Sequence, residues 1–96
     1  MERRFFVYIM TNNNNTVLYT GITNNIGRRV AEHKDEISPG FTNKYRVTKL
    51  VYYELFPTAE SAILREKQIK AGSRRRKQEL ISNLNPDWSD LSDELV

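Results

Sequence analysis

The fold is decided by residues 5–21, which read FFVYIMTNNNNTVLYTG. Residues 5–10 are rich in β-branched and aromatic types, a composition that favours a strand. Asn12–Asn15 predict a turn, because asparagine tolerates positive φ and bonds to its own backbone. Residues 16–21 predict a second strand that ends at Gly21. The short connection between the two strands indicates an antiparallel hairpin.

The chain after this hairpin alternates between helical and strand patterns. Thr23 or Asn24 is predicted to cap a helix over about 25–34, because their side chains accept bonds from free amide donors. A Ser-Pro-Gly break then introduces a loop over residues 38–46. Residues 49–56 are continuously apolar at their centre and predict a third strand.

Two further helices are predicted toward the C-terminus. Thr58 is placed to cap the first of them, which ends near Gly72. Ser73 is placed to cap the second, which runs to about Asn83 and stops at Asn85-Pro86. The resulting order is β-β-α-β-α-α, an α/β arrangement of helices on a small sheet. The pattern leaves open on which side of the hairpin the third strand joins.

Length and composition are those of an ordinary globular domain. A chain of 96 residues supports one domain, and it is 39% hydrophobic and 28% charged. The absence of cysteine excludes a disulfide framework and fits a reducing compartment. No apolar stretch approaches the ~20 residues that cross a bilayer, so we expect no membrane segment and a cytoplasmic location. Residues from about 87 to 96 form an acidic tail that is expected to fray.

The net charge is only +3, but the positive charge is concentrated in one stretch. Clusters of basic residues attract polyanions, of which nucleic acid is the commonest in a cytoplasm. A helix face that is simply solvated explains the same pattern, so the charge alone does not choose between the two. The crowded cations are Arg65, Lys67, Lys70, Arg74, Arg75, Arg76 and Lys77.

Two tyrosines on the predicted hairpin begin an ordered series of motifs. Phe6-Val7-Tyr8 and Tyr19-Thr20-Gly21 resemble the two tripeptides that name the GIY-YIG nuclease superfamily. The later motifs resemble its small stand-alone bacterial branch, which is similar to the N-terminal catalytic domain of the excision-repair nuclease subunit. They are Arg28-Arg29, Glu32-His33, Gly40-Phe41-Thr42, Leu50-Val51-Tyr52-Tyr53-Glu54, Arg65-Glu66-Lys67-Gln68-Ile69-Lys70 and Asn85-Pro86-Asp87-Trp88.

This resemblance implies both a fold and an activity. The fold is a single α/β domain over residues 1–96, with a three-stranded antiparallel sheet flanked by helices. The activity is hydrolysis of DNA phosphodiester bonds with one divalent ion, Mg²⁺ or Mn²⁺, in a role such as DNA repair or recombination. Double-stranded, branched and single-stranded DNA remain open as substrates. The alternatives are a non-catalytic nucleic-acid-binding module of the same fold and a small interaction protein whose basic helix docks an acidic partner.

The resemblance also assigns roles to five single residues. Tyr8 and Tyr19 would line the catalytic site, and one of them would assist deprotonation of the attacking water. Arg29 would stabilise phosphate charge with its planar guanidinium, and His33 would relay or donate a proton. Glu66 would bind the metal, since Mg²⁺ keeps several waters and one carboxylate ligand is enough. Taken singly, each residue also has an ordinary explanation in packing or surface solvation.

Further contacts to DNA are expected from one glycine and a set of cations. Gly21 is predicted to turn the backbone sharply from strand into helix and to let a phosphate approach. Asn85 is expected to support the site, and Asn83 is the less favoured choice for that role. The cations expected at the DNA are Arg28, Lys44, Lys70, Arg74, Arg75, Arg76 and Lys77.

Overall fold

The computed structural model describes residues 4–35 and 44–95. Of the predicted loop over residues 38–46, only Lys44–Arg46 lies in these ranges, and the Gly40-Phe41-Thr42 motif lies outside them. The predicted order β-β-α-β-α-α is confirmed. The elements are β1 (Phe5–Thr11), β2 (Leu18–Thr23), α1 (Ile26–Lys34), β3 (Lys49–Phe56), α2 (Ala59–Ala71), α3 (Arg74–Leu84) and a 3₁₀ helix (Leu91–Leu95).

The three strands form one antiparallel sheet in the order β2-β1-β3. β3 pairs with β1, which settles the question that the sequence left open. Tyr8 is the cross-strand partner of Gly21, and Met10 is the partner of Tyr19. β2 is therefore an outer strand of the sheet, and it carries one of the two tyrosines of the motif.

Side chains alternate along β1, so the sheet divides the core into two clusters. Val7 and Ile9 lie on one face with buried residues of α2 and α3. Tyr8 and Met10 lie on the other face with buried residues of α1 and with Leu91 of the 3₁₀ helix. The first tyrosine of the motif thus belongs to the face that α1 covers.

The passage from β2 into α1 differs from the prediction. β2 continues through Thr23 instead of ending at Gly21, because Thr23 is buried and pairs with Phe6 of β1. The N-cap of α1 is Asn25, whose side chain accepts a hydrogen bond from the Arg28 amide at 3.1 Å. Thr23 instead accepts a bond from the Asn25 amide, so its hydroxyl supports the turn that precedes the cap.

The acidic tail also differs from the prediction, because its residues 91–95 form a 3₁₀ helix and Leu91 is buried. Asp90 fastens this segment to two elements. It accepts a hydrogen bond from the Leu50 amide of β3 at 3.3 Å and forms an ion pair with Lys34 of α1. None of the helices in the described ranges has the length and apolar character needed to cross a membrane.

Candidate active site

Tyr8 lies at the centre of the candidate site and is only 1% exposed. Its ring lies against Gly21, its cross-strand partner on β2. A Cβ added to Gly21 would stand 2.6 Å from Tyr8 Oη and 2.7 Å from Tyr8 Cζ. The phenol therefore reaches over the backbone of β2 toward the outer side of the sheet. Gly21 lies within the strand and outside the left-handed region, so the predicted sharp turn at this glycine is wrong.

Two more rings complete an aromatic cluster around Tyr8. The ring centroids lie 6.2 Å apart for Tyr8 and Tyr19, 6.0 Å for Tyr8 and His33, and 5.6 Å for Tyr19 and His33. Tyr8 Oη lies 3.4 Å from His33 Nε2, and the Tyr8 hydroxyl also forms a hydrogen bond with Tyr19. Two phenol hydroxyls and one imidazole nitrogen, which come from β1, β2 and α1, therefore lie close together.

Two charged residues lie close enough to this cluster to act on it. Arg29 on α1 acts on both Tyr8 and His33, and Glu66 on α2 acts on Tyr8. The Arg29 side chain is 40% exposed, and its Nη1 lies 3.7 Å from Glu32 Oε1. The Glu66 side chain is 16% exposed, and its Oε2 lies 3.3 Å from Lys70 Nζ. A cation and an anion thus approach the phenols from different helices.

Burial controls the protonation of Tyr8. Burial, followed by the negative charges that Tyr19 and Glu66 can carry, raises the pKa of Tyr8 well above its ordinary value. Arg29 lowers the same pKa but does not outweigh burial. Tyr8 therefore remains a protonated phenol at neutral pH and acts as a hydrogen-bond donor.

His33 is neutral for a related reason. Burial, followed by the positive charge of Arg29, lowers the pKa of His33, while Glu32 opposes the shift. Its Nδ1 is buried and has no hydrogen-bond partner among the described residues. An uncharged imidazole beside Tyr8 can accept or donate one hydrogen bond at Nε2, depending on its tautomer.

The lowered pKa of His33 predicts acid sensitivity of the fold. The unfolded chain binds a proton at this histidine near pH 6.5, whereas the folded protein binds it only at a lower pH. The unfolded state therefore binds more protons in this interval, and the free energy of unfolding falls as the pH drops below about 6.5. Urea unfolding at about pH 7.5 and about pH 5.5 measures this loss.

The His33→Gln variant provides the control, because the chain has only one histidine. It is expected to lose less stability than the parent protein over the same pH interval. An equal loss in parent and variant would contradict the assignment of this acid sensitivity to His33.

Two of the residues predicted to contact DNA lie on the surface, one on α1 and the other before β3. Arg28 is exposed on α1, one position before Arg29. Lys44 is exposed, and its Nζ lies 5.4 Å from the centroid of the Tyr45 ring. Both cations are accessible to a polyanion, and Arg28 lies on α1, the helix that also carries Arg29 and His33.

The basic residues of α2 and α3 fall into distinct environments. Lys70 and Lys77 line a groove together with Tyr19 and Thr20, next to the aromatic cluster. Lys77 Nζ also donates to the Gly72 carbonyl at 2.7 Å. The remaining three arginines are exposed: Arg74, which donates to the Asn15 carbonyl at 3.3 Å, Arg75, which lies 3.4 Å from Glu79, and Arg76.

Arg65 belongs to the basic run in the sequence but is engaged with β3. Its Nε and Nη2 donate to the Glu54 carboxylate at 3.0–3.1 Å. The Tyr52 hydroxyl donates to the same carboxylate, and burial together with Glu54 raises the pKa of Tyr52 to about 12. Because Glu54 compensates its charge, Arg65 contributes less to a polyanion surface than the sequence indicated.

Asn85 is buried at the end of α3 and bonds to the framework of the domain. Its Nδ2 donates to the Val51 carbonyl at 3.2 Å and to the Ser89 carbonyl at 2.8 Å. Its Oδ1 accepts from the Ser89 amide at 3.2 Å. These bonds join α3 to β3 and to the segment before the 3₁₀ helix. Asn83, the alternative, is exposed on α3.

Sequence reasoning missed one feature of this region. Thr20 lines the groove beside Tyr19, and no local pattern distinguishes it from other strand residues. The surface ion pair that the sequence offers as the ordinary explanation of Glu66 forms with Lys70, at i, i+4 spacing on the helix. The metal assignment of Glu66 must therefore account for a neighbouring cation.

The catalytic-domain model of the GIY-YIG family matches residues 4–79. The chain belongs to the GIY-YIG family. A UPF0213 protein of Natronomonas pharaonis is 37% identical over 83 residues, which cover 86% of this chain and 96% of the relative. A UPF0213 protein of Syntrophus aciditrophicus is 39% identical over 83 residues, with 85% and 93% coverage.

A solved structure agrees with this GIY-YIG membership. The solution NMR structure of a UPF0213 protein from Bacillus halodurans has a TM-score of 0.58 and 29% sequence identity to the chain. The match covers 91% of this chain and 92% of that protein. GIY-YIG is a nuclease-like family whose substrates are nucleic acids and whose nucleases generally depend on a divalent metal. The resemblance and the fold predicted from the sequence are thereby confirmed.

Proposed function

We propose that this GIY-YIG protein is an endonuclease that hydrolyses DNA phosphodiester bonds with one divalent metal ion. The observation that supports the proposal is the contact of Tyr8 with the rings of Tyr19 and His33, while Arg29 and Glu66 act on the pKa of Tyr8; five groups from β1, β2, α1 and α2 are involved. The groups are two phenols, a guanidinium, a neutral imidazole and a carboxylate. The cysteine-free sequence suits the cytoplasm, where a role in DNA repair or recombination would be exercised.

Glu66 is the residue that would hold the ion. Mg²⁺ and Mn²⁺ prefer oxygen ligands, and Mg²⁺ keeps several waters, so a single half-buried carboxylate suits them. Within the described ranges, no three acidic or histidine side chains are grouped so as to enclose an ion. When bound, the ion supplies positive charge that polarises the phosphate and stabilises the leaving oxygen.

Arg29 is suited to hold the phosphate group. Its guanidinium is partly exposed and carries five N–H donors. The 3.7 Å contact to Glu32 leaves most of them available to a ligand. The planar fork matches two phosphate oxygens in a two-point contact. It also lies close to both Tyr8 and His33, so a phosphate held there would face the aromatic cluster.

Tyr19 is the phenol that we assign to activation of the attacking water. Tyr8 keeps its proton, because burial raises its pKa, whereas Tyr19 is half-buried and lines an open groove. In our proposal His33 donates from Nε2 to Tyr8 Oη, and Tyr8 donates to Tyr19. This chain of hydrogen bonds links the buried imidazole to the Tyr19 hydroxyl and fixes its position.

Phenylalanine substitutions separate the two tyrosines. Tyr19→Phe is expected to lower kcat by about 10²–10⁴-fold, the usual contribution of a general base. Tyr8→Phe is expected to have a smaller effect on kcat, because it removes only the hydrogen-bond donor that positions Tyr19. The measurement is kcat against pH with Mg²⁺. A larger loss of kcat in Tyr8→Phe would reverse the assignment.

The activity itself is tested on plasmid, single-stranded and branched DNA, each with Mg²⁺ or Mn²⁺ and with chelator. Cleavage that requires the ion and is lost in Arg29→Ala supports the proposal. Metal-independent cleavage, or none on any DNA, would contradict it. In the second case a gel shift that weakens steeply with salt identifies a non-catalytic DNA-binding module. Exposed cations of α1 and α3, including Arg28 and Arg76, provide the surface for such binding.

A further inference from the structure

A groove of about 610 Å³ lies between α2 and α3, outside the cluster around Tyr8. This volume is within the range of about 300–1,000 Å³ that is typical of small-ligand sites. Both helices contribute to its walls, with apolar, amide and cationic side chains. The residues that matter for its chemistry are Gln68, Ile69, Arg76, Lys77, Leu80 and Asn83.

This groove continues from the candidate active site. Lys77 lines both the α2–α3 groove and the smaller groove that contains Tyr19 and Lys70. Lys70 in turn lies 3.3 Å from Glu66, the proposed metal ligand. Lys77 therefore lies where the two grooves adjoin, and Lys70 lies in the groove that contains Tyr19.

The walls of the groove combine three kinds of chemistry. Leu80 is half-buried and provides the accessible apolar surface, whereas Ile69 is 3% exposed and belongs to the core. Gln68 on α2 and Asn83 on α3 are exposed amides. Arg65 Nη1 donates to Gln68 Oε1 at 3.4 Å, so the Gln68 NH₂ group keeps its donors for a ligand. Amides match the donor and acceptor pattern of base edges, and apolar surface suits the base face.

The charge of the groove is positive. Arg76 and Lys77 line it from α3. The Arg65 charge is compensated by Glu54, and the Glu79 charge is compensated by Arg75 at 3.4 Å. Two cations therefore remain to attract a phosphate. An acidic peptide would use these cations but would leave the two amides and the apolar surface without a match.

We propose that the α2–α3 groove binds one nucleotide of the substrate strand, next to the nucleotide at the scissile bond. The base lies against Leu80 between the Gln68 and Asn83 amides, and its phosphate contacts Arg76 and Lys77. This inference rests on the proposed function and adds to it that the substrate presents an unstacked base. A base inside a stacked duplex cannot enter the groove, so single-stranded or unpaired DNA is the substrate class.

Fluorescence anisotropy in chelator tests the groove without any cleavage. The probes are a single-stranded DNA oligonucleotide and an abasic strand of the same length. Gln68→Ala and Asn83→Ala are each expected to weaken binding of the base-bearing strand about fivefold and to leave the abasic strand unchanged, since each removes a base contact worth roughly 1 kcal/mol. Arg76→Gln is expected to weaken binding of both strands and to reduce the salt dependence.

Asn13→Ala and Asn14→Ala are the matched controls for the amide variants, because both residues are exposed and neither lines the groove. Equal binding of base-bearing and abasic strands by the parent, or amide variants that bind like these controls, would overturn the proposal. An acidic peptide that competes for the groove while DNA does not would also overturn it. Base-dependent binding without metal-dependent cleavage supports the groove proposal and refutes only the proposed hydrolysis. Conversely, cleavage and binding that are unchanged in both amide variants refute only the groove proposal.

Discussion

Replacing Glu66 by glutamine is expected to lower the rate of metal-dependent DNA cleavage by at least about a thousandfold. A bound ion is worth several kcal/mol of transition-state stabilisation, and each 1.36 kcal/mol is about tenfold in rate. The amide keeps the size of the carboxylate but loses the charge that holds the ion. Glu66 is not part of either core cluster, so the fold should persist. Cleavage rates across Mg²⁺ concentrations, with circular dichroism for the fold, measure both expectations.

Glu60→Gln is the control for this experiment, because Glu60 is an exposed carboxylate on the same helix. It should cleave at close to the parental rate. A crystal soaked with Mn²⁺ provides an independent measurement, with an ion expected at the Glu66 carboxylate. Cleavage by the Glu66→Gln variant within about tenfold of the parent would remove Glu66 from the proposed chemistry.

Gly21→Ala is expected to damage both stability and activity, although it adds a single methyl group. The new Cβ would stand 2.6 Å from Tyr8 Oη and 3.0 Å from Tyr19 Cε2. Tyr8 is buried on all sides and has no room to withdraw. We expect the free energy of unfolding to fall by about 1–3 kcal/mol, the usual cost of overpacking. Cleavage should fall by about a hundredfold, because a displacement of 1 Å in a positioned group has an effect of that size.

Gly27→Ala separates this effect from the general consequence of replacing glycine. Gly27 lies in α1, and a Cβ there would meet only Asn25 Oδ1, at 3.9 Å. Alanine in a helix is more favourable than glycine by about 0.5–1 kcal/mol, so this variant should be slightly more stable and fully active. Urea unfolding and cleavage assays compare the two alanine variants. Parental stability and activity in Gly21→Ala would mean that the Tyr8 ring does not depend on the glycine.

The strands and helices of this fold were predictable where local signals agreed. The bounds of β3 were predicted correctly, because its apolar run is continuous and Pro57 follows it. The N-cap of α1 was not predicted correctly, because Thr23, Asn24 and Asn25 are all capable of capping a helix. Only the burial of Thr23 in the hairpin excludes it, and burial is a tertiary property. The 3₁₀ helix was not predicted either, because Asp90 fastens it to residues that are distant in the sequence.

The candidate site was predictable as a set of residues but not as an arrangement. The order of Tyr8, Tyr19, Arg29, His33 and Glu66 indicated the site through a family resemblance. The direction of the Tyr8 ring follows from its pairing with Gly21, which the sequence does not specify uniquely. The neutrality of His33 follows from its burial between two tyrosines.

The position of β2 at the margin of the sheet has a consequence for the size of molecule that the protein can process. Tyr19 lies along this rim and lines an open groove, not the bottom of an enclosed chamber. In the proposed endonuclease a long polymer would therefore be engaged at any point along its length, without threading an end and without a moving flap. A chain of 96 residues would then be large enough to work on a substrate many times its own mass.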